Sequence, residues 1–196
     1  QLLVDREDIT AEQRLQALGE LGQDFLKAGL LDRAEAVFVR LRGSRADALA
    51  LRYLLEIYQQ EKDWAKAIEA AGALPDHESL MWRTEVANFH CELAAGALAS
   101  SALGEAEAHV AAALAVNPRC VRASLIRGDI CVAQGRDQDA LAAWKRIENQ
   151  DPVYLALAAE RIMEACARLG RLDEGQQLLR AWLDSHASID LLDELF

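Results

Sequence analysis

The stretch Leu21-Gly22-Gln23-Asp24-Phe25-Leu26-Lys27-Ala28-Gly29-Leu30-Leu31-Asp32-Arg33-Ala34-Glu35-Ala36-Val37-Phe38 decides the fold. Small residues stand at Gly22 and Ala34, a glycine falls between them, and an aromatic follows at Phe38. A weaker copy carries Gly128, Cys131, Gly135, Ala140 and Trp144. Aligned on the two small positions, five copies emerge, with Gly22, Leu55, Ala94, Gly128 and Met163 at the first and Ala34, Ala67, Ala106, Ala140 and Gly175 at the second. Successive gaps at the second position are 33, 39, 34 and 35 residues. A period of this size marks an array of helix pairs. Two antiparallel helices joined by a short turn cross closely, so a large side chain at the crossing overpacks, at about 1–3 kcal/mol. Gly29, Gly135 and Gly170 suit the turn, where a helix end often needs positive φ. Pro118 and Pro152 are expected to end second helices by removing a backbone donor. Phe38, Val110, Trp144 and Leu179 are expected to fill the gap to the next repeat.

Composition agrees with helix nearly throughout. The 196 residues are 52% hydrophobic and 27% charged, with only three prolines. Alanine and leucine dominate and β-branched runs are absent, which favours helix. The formal charge of −11 comes without any cluster of Lys and Arg, and this argues against a nucleic-acid partner. Cys91, Cys120, Cys131 and Cys166 are spaced by 29, 11 and 35 residues. No CxxC or other metal-ligand spacing occurs, so no metal and no cofactor are expected in this chain. The four cysteines read as reduced thiols of a cytoplasmic protein, two of them, Cys131 and Cys166, at equivalent repeat positions. No apolar run approaches the roughly 20 residues that span a bilayer, so this chain is expected to be soluble.

The pattern matches the tetratricopeptide repeat (TPR) period and its Leu-Gly…Tyr…Ala…Phe…Pro template. This resemblance implies an all-α fold, a right-handed α-solenoid of about five TPR helix pairs. The repeats fall near residues 15–48, 48–81, 87–120, 121–154 and 156–189. Residues 1–14 read as the end of a preceding repeat and a connecting loop, with Thr10-Ala11-Glu12-Gln13 as a capping box, and residues 190–196 as the start of a following helix. The chain thus reads as part of a longer protein. Leu55 and Met163 in place of a small residue, Ala71 in place of the aromatic and Gly175 inside a helix depart from the template, and those copies are expected to pack less regularly. The gap of 39 adds five residues after Leu74-Pro75-Asp76-His77. They are expected to start the third repeat's first helix near Ser79, run it through Ala99 and project Leu80, Met81 and Trp82. Such an apolar extension is either a cap on a neighbour or a partner surface, a homodimer among the possibilities.

Candidate chemistry is sparse. His90 and Cys91 form the one histidine–thiol neighbourhood, yet adjacent helical residues point about 100° apart and do not face each other. His109 and His186 have no ligand-spaced neighbours. Carboxylates such as Glu105, Asp137 and Asp173 sit at expected helix starts, where the dipole favours them. No catalytic residue is assigned and no enzyme is expected. In stacked helix pairs the first helices line the concave face. By repeat phase that face presents Gln23, Lys27, Arg52, Glu56, Gln59, Asn88, Arg122, Asp129, Glu160 and Glu164. Its mixed charges and amides suit peptide or protein recognition.

Three stretches go beyond a generic repeat: Gln13-Arg14-Leu15 through Leu21-Gly22…Ala34-Glu35, Leu54-Leu55-Glu56-Ile57-Tyr58-Gln59-Gln60…Asp63-Trp64-Ala65-Lys66-Ala67-Ile68, and Val86-Ala87-Asn88-Phe89-His90-Cys91-Glu92-Leu93-Ala94. Together they resemble the lipopolysaccharide assembly protein B family (LapB, also called YciM), well over residues 10–100 and more loosely to the end. The irregular gap before Asn88 agrees with that family. The resemblance implies a Gram-negative inner-membrane protein with its repeats on the cytoplasmic side. Members are adaptors that bring the deacetylase LpxC to the membrane protease FtsH and so limit lipopolysaccharide production. Members also carry an N-terminal membrane helix and a C-terminal rubredoxin-like metal ribbon, and neither lies in this sequence. A general TPR scaffold for envelope, secretion or pilus assembly is the alternative.

Overall fold

A computed structural model describes residues 10–186. The readings made for residues 1–9 and 187–196 lie outside the described residues. The chain divides into two compact units, residues 1–86 and 87–196. In the first unit α1 (Ala11–Lys27) and α2 (Leu31–Leu41) form one antiparallel pair, and α3 (Asp47–Glu61) and α4 (Trp64–Gly72) the next. The helix α5 (Leu80–Ala99) contains the division. In the second unit it is followed by α6 (Leu103–Val116), α7 (Val121–Ala133) paired with α8 (Asp137–Lys145), the single turn α9 (Ile147–Gln150), and α10 (Ala156–Arg168) paired with α11 (Leu172–Ser185). No strand occurs among the described residues. The all-helical order agrees with the tetratricopeptide helix-pair reading.

The start of α1 is set by its capping box. The Gln13 amide N–H donates to Thr10 Oγ1 at 3.2 Å, and the Thr10 N–H donates to Gln13 Oε1 at 2.9 Å. The helix thus begins at Ala11, where the capping box placed its start.

Every first helix ends in the same way. One residue enters the left-handed region, and the next N–H reaches back five residues, as in a Schellman ending. The left-handed residues are Gly29, Lys62, Ser101, Gly135 and Gly170, with φ between 58° and 72°. The returning bonds are Leu30 to Phe25, Asp63 to Tyr58, Ala102 to Ala97, Arg136 to Cys131 and Arg171 to Cys166, all 2.8–2.9 Å. Three of the five positions are the glycines expected from sequence. Lys62 and Ser101 hold the same conformation without that advantage.

The second small position is fully buried in four repeats, at Ala34, Ala67, Ala106 and Ala140. The first small position and the residue sixteen further on behave as a matched pair. A Cβ built on Gly22 would lie 2.7 Å from the Phe38 ring, and one built on Gly128 only 2.0 Å from the Trp144 indole. Both aromatics therefore fill their own repeat's crossing, and not only the gap to the next repeat. Phe38 does both, since its other side stacks on Tyr53 of α3, centroids 4.7 Å apart. Where the first position is large, its partner is small or room is made elsewhere. Leu55 pairs with Ala71, both buried. Met163 pairs with Leu179, and Gly175 supplies the space: a Cβ there would meet the Met163 sulfur at 2.8 Å. The departures from the template are thus compensated, and α11 runs unbroken through Gly175.

Two further expectations are corrected. Pro152 does not end α8, which stops at Lys145. The turn α9 intervenes, and Pro152 opens a short 3-10 turn instead. The extended helix starts at Leu80 as expected, and Leu80 and Met81 are exposed, but Trp82 is half-buried and does not project.

Candidate protein-binding site

The ten residues assigned to a recognition face all lie on first helices. Gln23 and Lys27 stand on α1, Arg52, Glu56 and Gln59 on α3, Asn88 on α5, Arg122 and Asp129 on α7, and Glu160 and Glu164 on α10. Lys27, Arg52, Glu56, Arg122, Glu160 and Glu164 are exposed, and Gln23, Gln59, Asn88 and Asp129 half-buried. Four of the charged ones are engaged within the protein. Arg122 binds Glu92 at 2.7 Å, Asp129 accepts from Arg161 at 3.0 Å, Arg52 approaches Asp76 at 3.5 Å, and Glu164 lies 3.8 Å from Arg168. Gln23, Lys27, Glu56, Gln59, Asn88 and Glu160 keep polar side chains that no described residue engages.

Two of these pairs, Arg122–Glu92 and Arg161–Asp129, belong to a ladder that the sequence reading missed. Lys66 to Glu35, Arg122 to Glu92, Arg136 to Glu107, Arg161 to Asp129 and Arg168 to Asp137 each join residues 29–32 apart, at 2.7–3.1 Å. Slightly less than one repeat length separates each cation from its acid, so the ladder ties neighbouring helix pairs within each unit. Exposed pairs of this kind contribute about 0.2–1 kcal/mol each. A buried link reinforces them in the second unit. Arg119 donates to the Gln150 carbonyl at 2.7 and 3.0 Å, and the Gln150 amide donates to the Pro118 carbonyl at 2.8 Å. The sequence signal was a basic and an acidic residue one period apart, which many residue pairs satisfy in a chain this charged.

Each unit carries a cleft among its described residues. In the first unit a cleft of about 900 Å³ runs along Leu15, Gly19, Gln23, Leu41 and Leu49. In the second a cleft of about 580 Å³ lies among α6, α7 and α8, with Ile130 and Ala143 beneath and Arg127, Arg136 and Arg146 around it. Only Gln23 of the ten sequence-assigned residues lines either cleft. Arg136 is bound to Glu107 and Asp139.

No acid–base pair forms around Cys91. Its sulfur faces Cys120, while His90 Nδ1 lies 3.3 Å from His109 Nδ1. His109 thus has a histidine neighbour across the helix pair, which spacing along the chain did not reveal. Burial first, and then the charge of His109, hold His90 below the usual imidazole range. Burial of Tyr58 beside Glu35 pushes its hydroxyl up to about 12. Among the described residues no group of three or more His, Cys, Asp or Glu is placed to hold a metal ion, and no helix is long and apolar enough to cross a membrane.

The tetratricopeptide repeat family model matches residues 20–76 and 91–153. The chain belongs to the tetratricopeptide repeat family. Among curated proteins, lipopolysaccharide assembly protein B of Escherichia coli K12 is 32% identical over 191 residues, covering 97% of this chain and 49% of that protein. Its counterpart in Haemophilus influenzae is 32% identical over 171 residues, covering 87% of this chain and 43% of that protein. The chain spans about half the length of these relatives. Among solved structures, MamA superposes with a TM-score of 0.54 at 18% identity, covering 87% of this chain and 90% of that one. YrrB, described as a TPR protein with an unusual peptide-binding site, gives 0.51 at 16% identity, covering 89% of this chain and 87% of that one. These likenesses establish the tetratricopeptide helix-pair fold.

Proposed function

We propose that this repeat array is a non-catalytic adaptor in lipopolysaccharide assembly, one that brings LpxC to the protease FtsH on the cytoplasmic face of the inner membrane. The observation that carries this reading is 32% identity across 97% of the chain to lipopolysaccharide assembly protein B. An adaptor needs no reacting group, because holding two proteins on one scaffold raises their effective concentration. The partner-facing residues in this reading are Gln23, Lys27, Arg52, Glu56, Gln59, Asn88, Arg122, Asp129, Glu160 and Glu164. Of these, Arg122 and Asp129 are the ones that a partner would have to draw out of a repeat-to-repeat pair.

Affinity purification of the full-length protein from its own bacterium tests the reading. Recovery of LpxC and FtsH, lost when Lys27, Glu56 and Asn88 are changed together, is the expected result. A well-folded protein that recovers neither would refute it, and recovery of secretion or pilus components instead would favour a general envelope scaffold.

A further inference from the structure

Cys91 and Cys120 stand 29 residues apart in the chain, yet their sulfurs lie 3.7 Å apart. Cys91 is fully buried on α5, and Cys120 is 7% exposed at the N-cap of α7. The setting favours a thiolate at Cys120. The two sulfurs share a hydrogen bond and Cys120 caps the start of α7 with the Arg122 guanidinium nearby, so the bond to Cys91, the α7 backbone and Arg122 hold Cys120 below the usual thiol range, while the same bond and burial hold Cys91 above it. Cysteines at helix N-termini beside arginine are the reactive ones. Cys131 and Cys166 are buried as well, but burial raises both and neither has another cysteine sulfur within hydrogen-bond reach.

We infer that Cys91 and Cys120 are a modification site, a thiol pair that a small two-electron oxidant of the peroxide class closes into an internal disulfide. The Cys120 thiolate attacks one peroxide oxygen, whose O–O bond breaks, giving a sulfenic acid and hydroxide. The Cys91 sulfur then attacks the Cys120 sulfur and displaces its hydroxyl, which leaves as water with the Cys91 proton. In sum, two thiols and one hydrogen peroxide give one disulfide and two waters. Closure brings the sulfurs from 3.7 Å to about 2.05 Å. Only Cys120 has to meet the oxidant, at the helix end, and Cys91 resolves it from inside. The bond would fasten α5 to the start of α7, where the Arg122–Glu92 pair already joins the same two helices. This inference is independent of the adaptor reading.

The test treats the purified full chain with hydrogen peroxide, denatures it in N-ethylmaleimide and maps the unreduced peptides by mass. The expected result is loss of two of the four alkylatable thiols, with the Cys91 and Cys120 peptides of one chain joined, two hydrogens lighter, and no link between molecules. In Cys91→Ser the link disappears and dimedone traps a sulfenic acid on Cys120. The inference is overturned if Cys91 and Cys120 remain as alkylatable as Cys131 and Cys166, or if they link only between molecules. Absence of the dimedone adduct in Cys91→Ser, with the wild-type link intact, would overturn the assigned order of attack.

Discussion

The first and fourth repeats build the crossing of their two helices in one way, the second and fifth in another. In the first and fourth, Gly22 and Gly128 leave a notch that Phe38 and Trp144 fill. In the second, bulk comes from Leu55 on the first helix and Ala71 stands opposite. In the fifth, Met163 supplies bulk and Gly175 gives way to it. The same space is filled from opposite sides. The quantity kept is the volume of the crossing, not the residue at either position. A repeat that looks degenerate position by position is sound when its positions are taken in pairs.

The comparison can be broken most severely at Trp144. Its indole is buried over Gly128, and its N–H donates to the Leu125 carbonyl at 3.1 Å. Trp144→Ala should cost about 3–5 kcal/mol, read as a loss in urea midpoint. Filling the notch comes next. Gly128→Ala should cost about 2–3 kcal/mol and Gly22→Ala about 1–2 kcal/mol, because overpacking scales with how little the neighbour can yield. Gly175→Ala meets a flexible Met163 sulfur and should cost under about 1 kcal/mol. If paired volume is what matters, Gly128→Leu combined with Trp144→Ala should be more stable than the sum of the single changes implies, a coupling that a double-mutant cycle measures. Simple additivity would remove the idea.

A smaller effect sharpens the same comparison at the turns. Lys62→Gly and Ser101→Gly should each stabilise by about 0.5–1 kcal/mol, since glycine adopts positive φ without steric cost. No gain in thermal midpoint from either change would show that these two endings are held differently from the glycine ones. The smallest effect concerns pH. His90 in the folded chain binds its proton more weakly than in the unfolded chain, where the value is 6.5. The unfolded chain therefore holds more protons below that value, so stability is full above about pH 6.5 and falls as pH drops through the lowered folded value. Melting of wild type against His90→Asn, between about pH 7 and about pH 5, should show a shallower decline for the variant.

The helix-pair fold was legible because a small residue at the crossing and a left-handed turn recur at one period. The lengthened α5 was legible from the single gap that breaks it. What stayed hidden is what needs two residues read together. Leu55 and Met163 look like defects until Ala71 and Gly175 are set beside them. Lys62 and Ser101 are ordinary residue types, and only their register places them in the left-handed region. In the candidate site, repeat phase put the ten residues on first helices, but Arg52, Arg122, Asp129 and Glu164 also had intramolecular partners, which phase alone does not show. The Cys91–Cys120 pair was hidden because Cys120 lies in the connection between repeats, outside the repeating pattern.

The adaptor role is tested most directly by the lifetime of LpxC in the bacterium, measured after protein synthesis is stopped, with the full-length protein present and absent. LpxC should persist longer in its absence while FtsH remains at its normal level. An LpxC lifetime that does not change when the protein is removed would contradict the account.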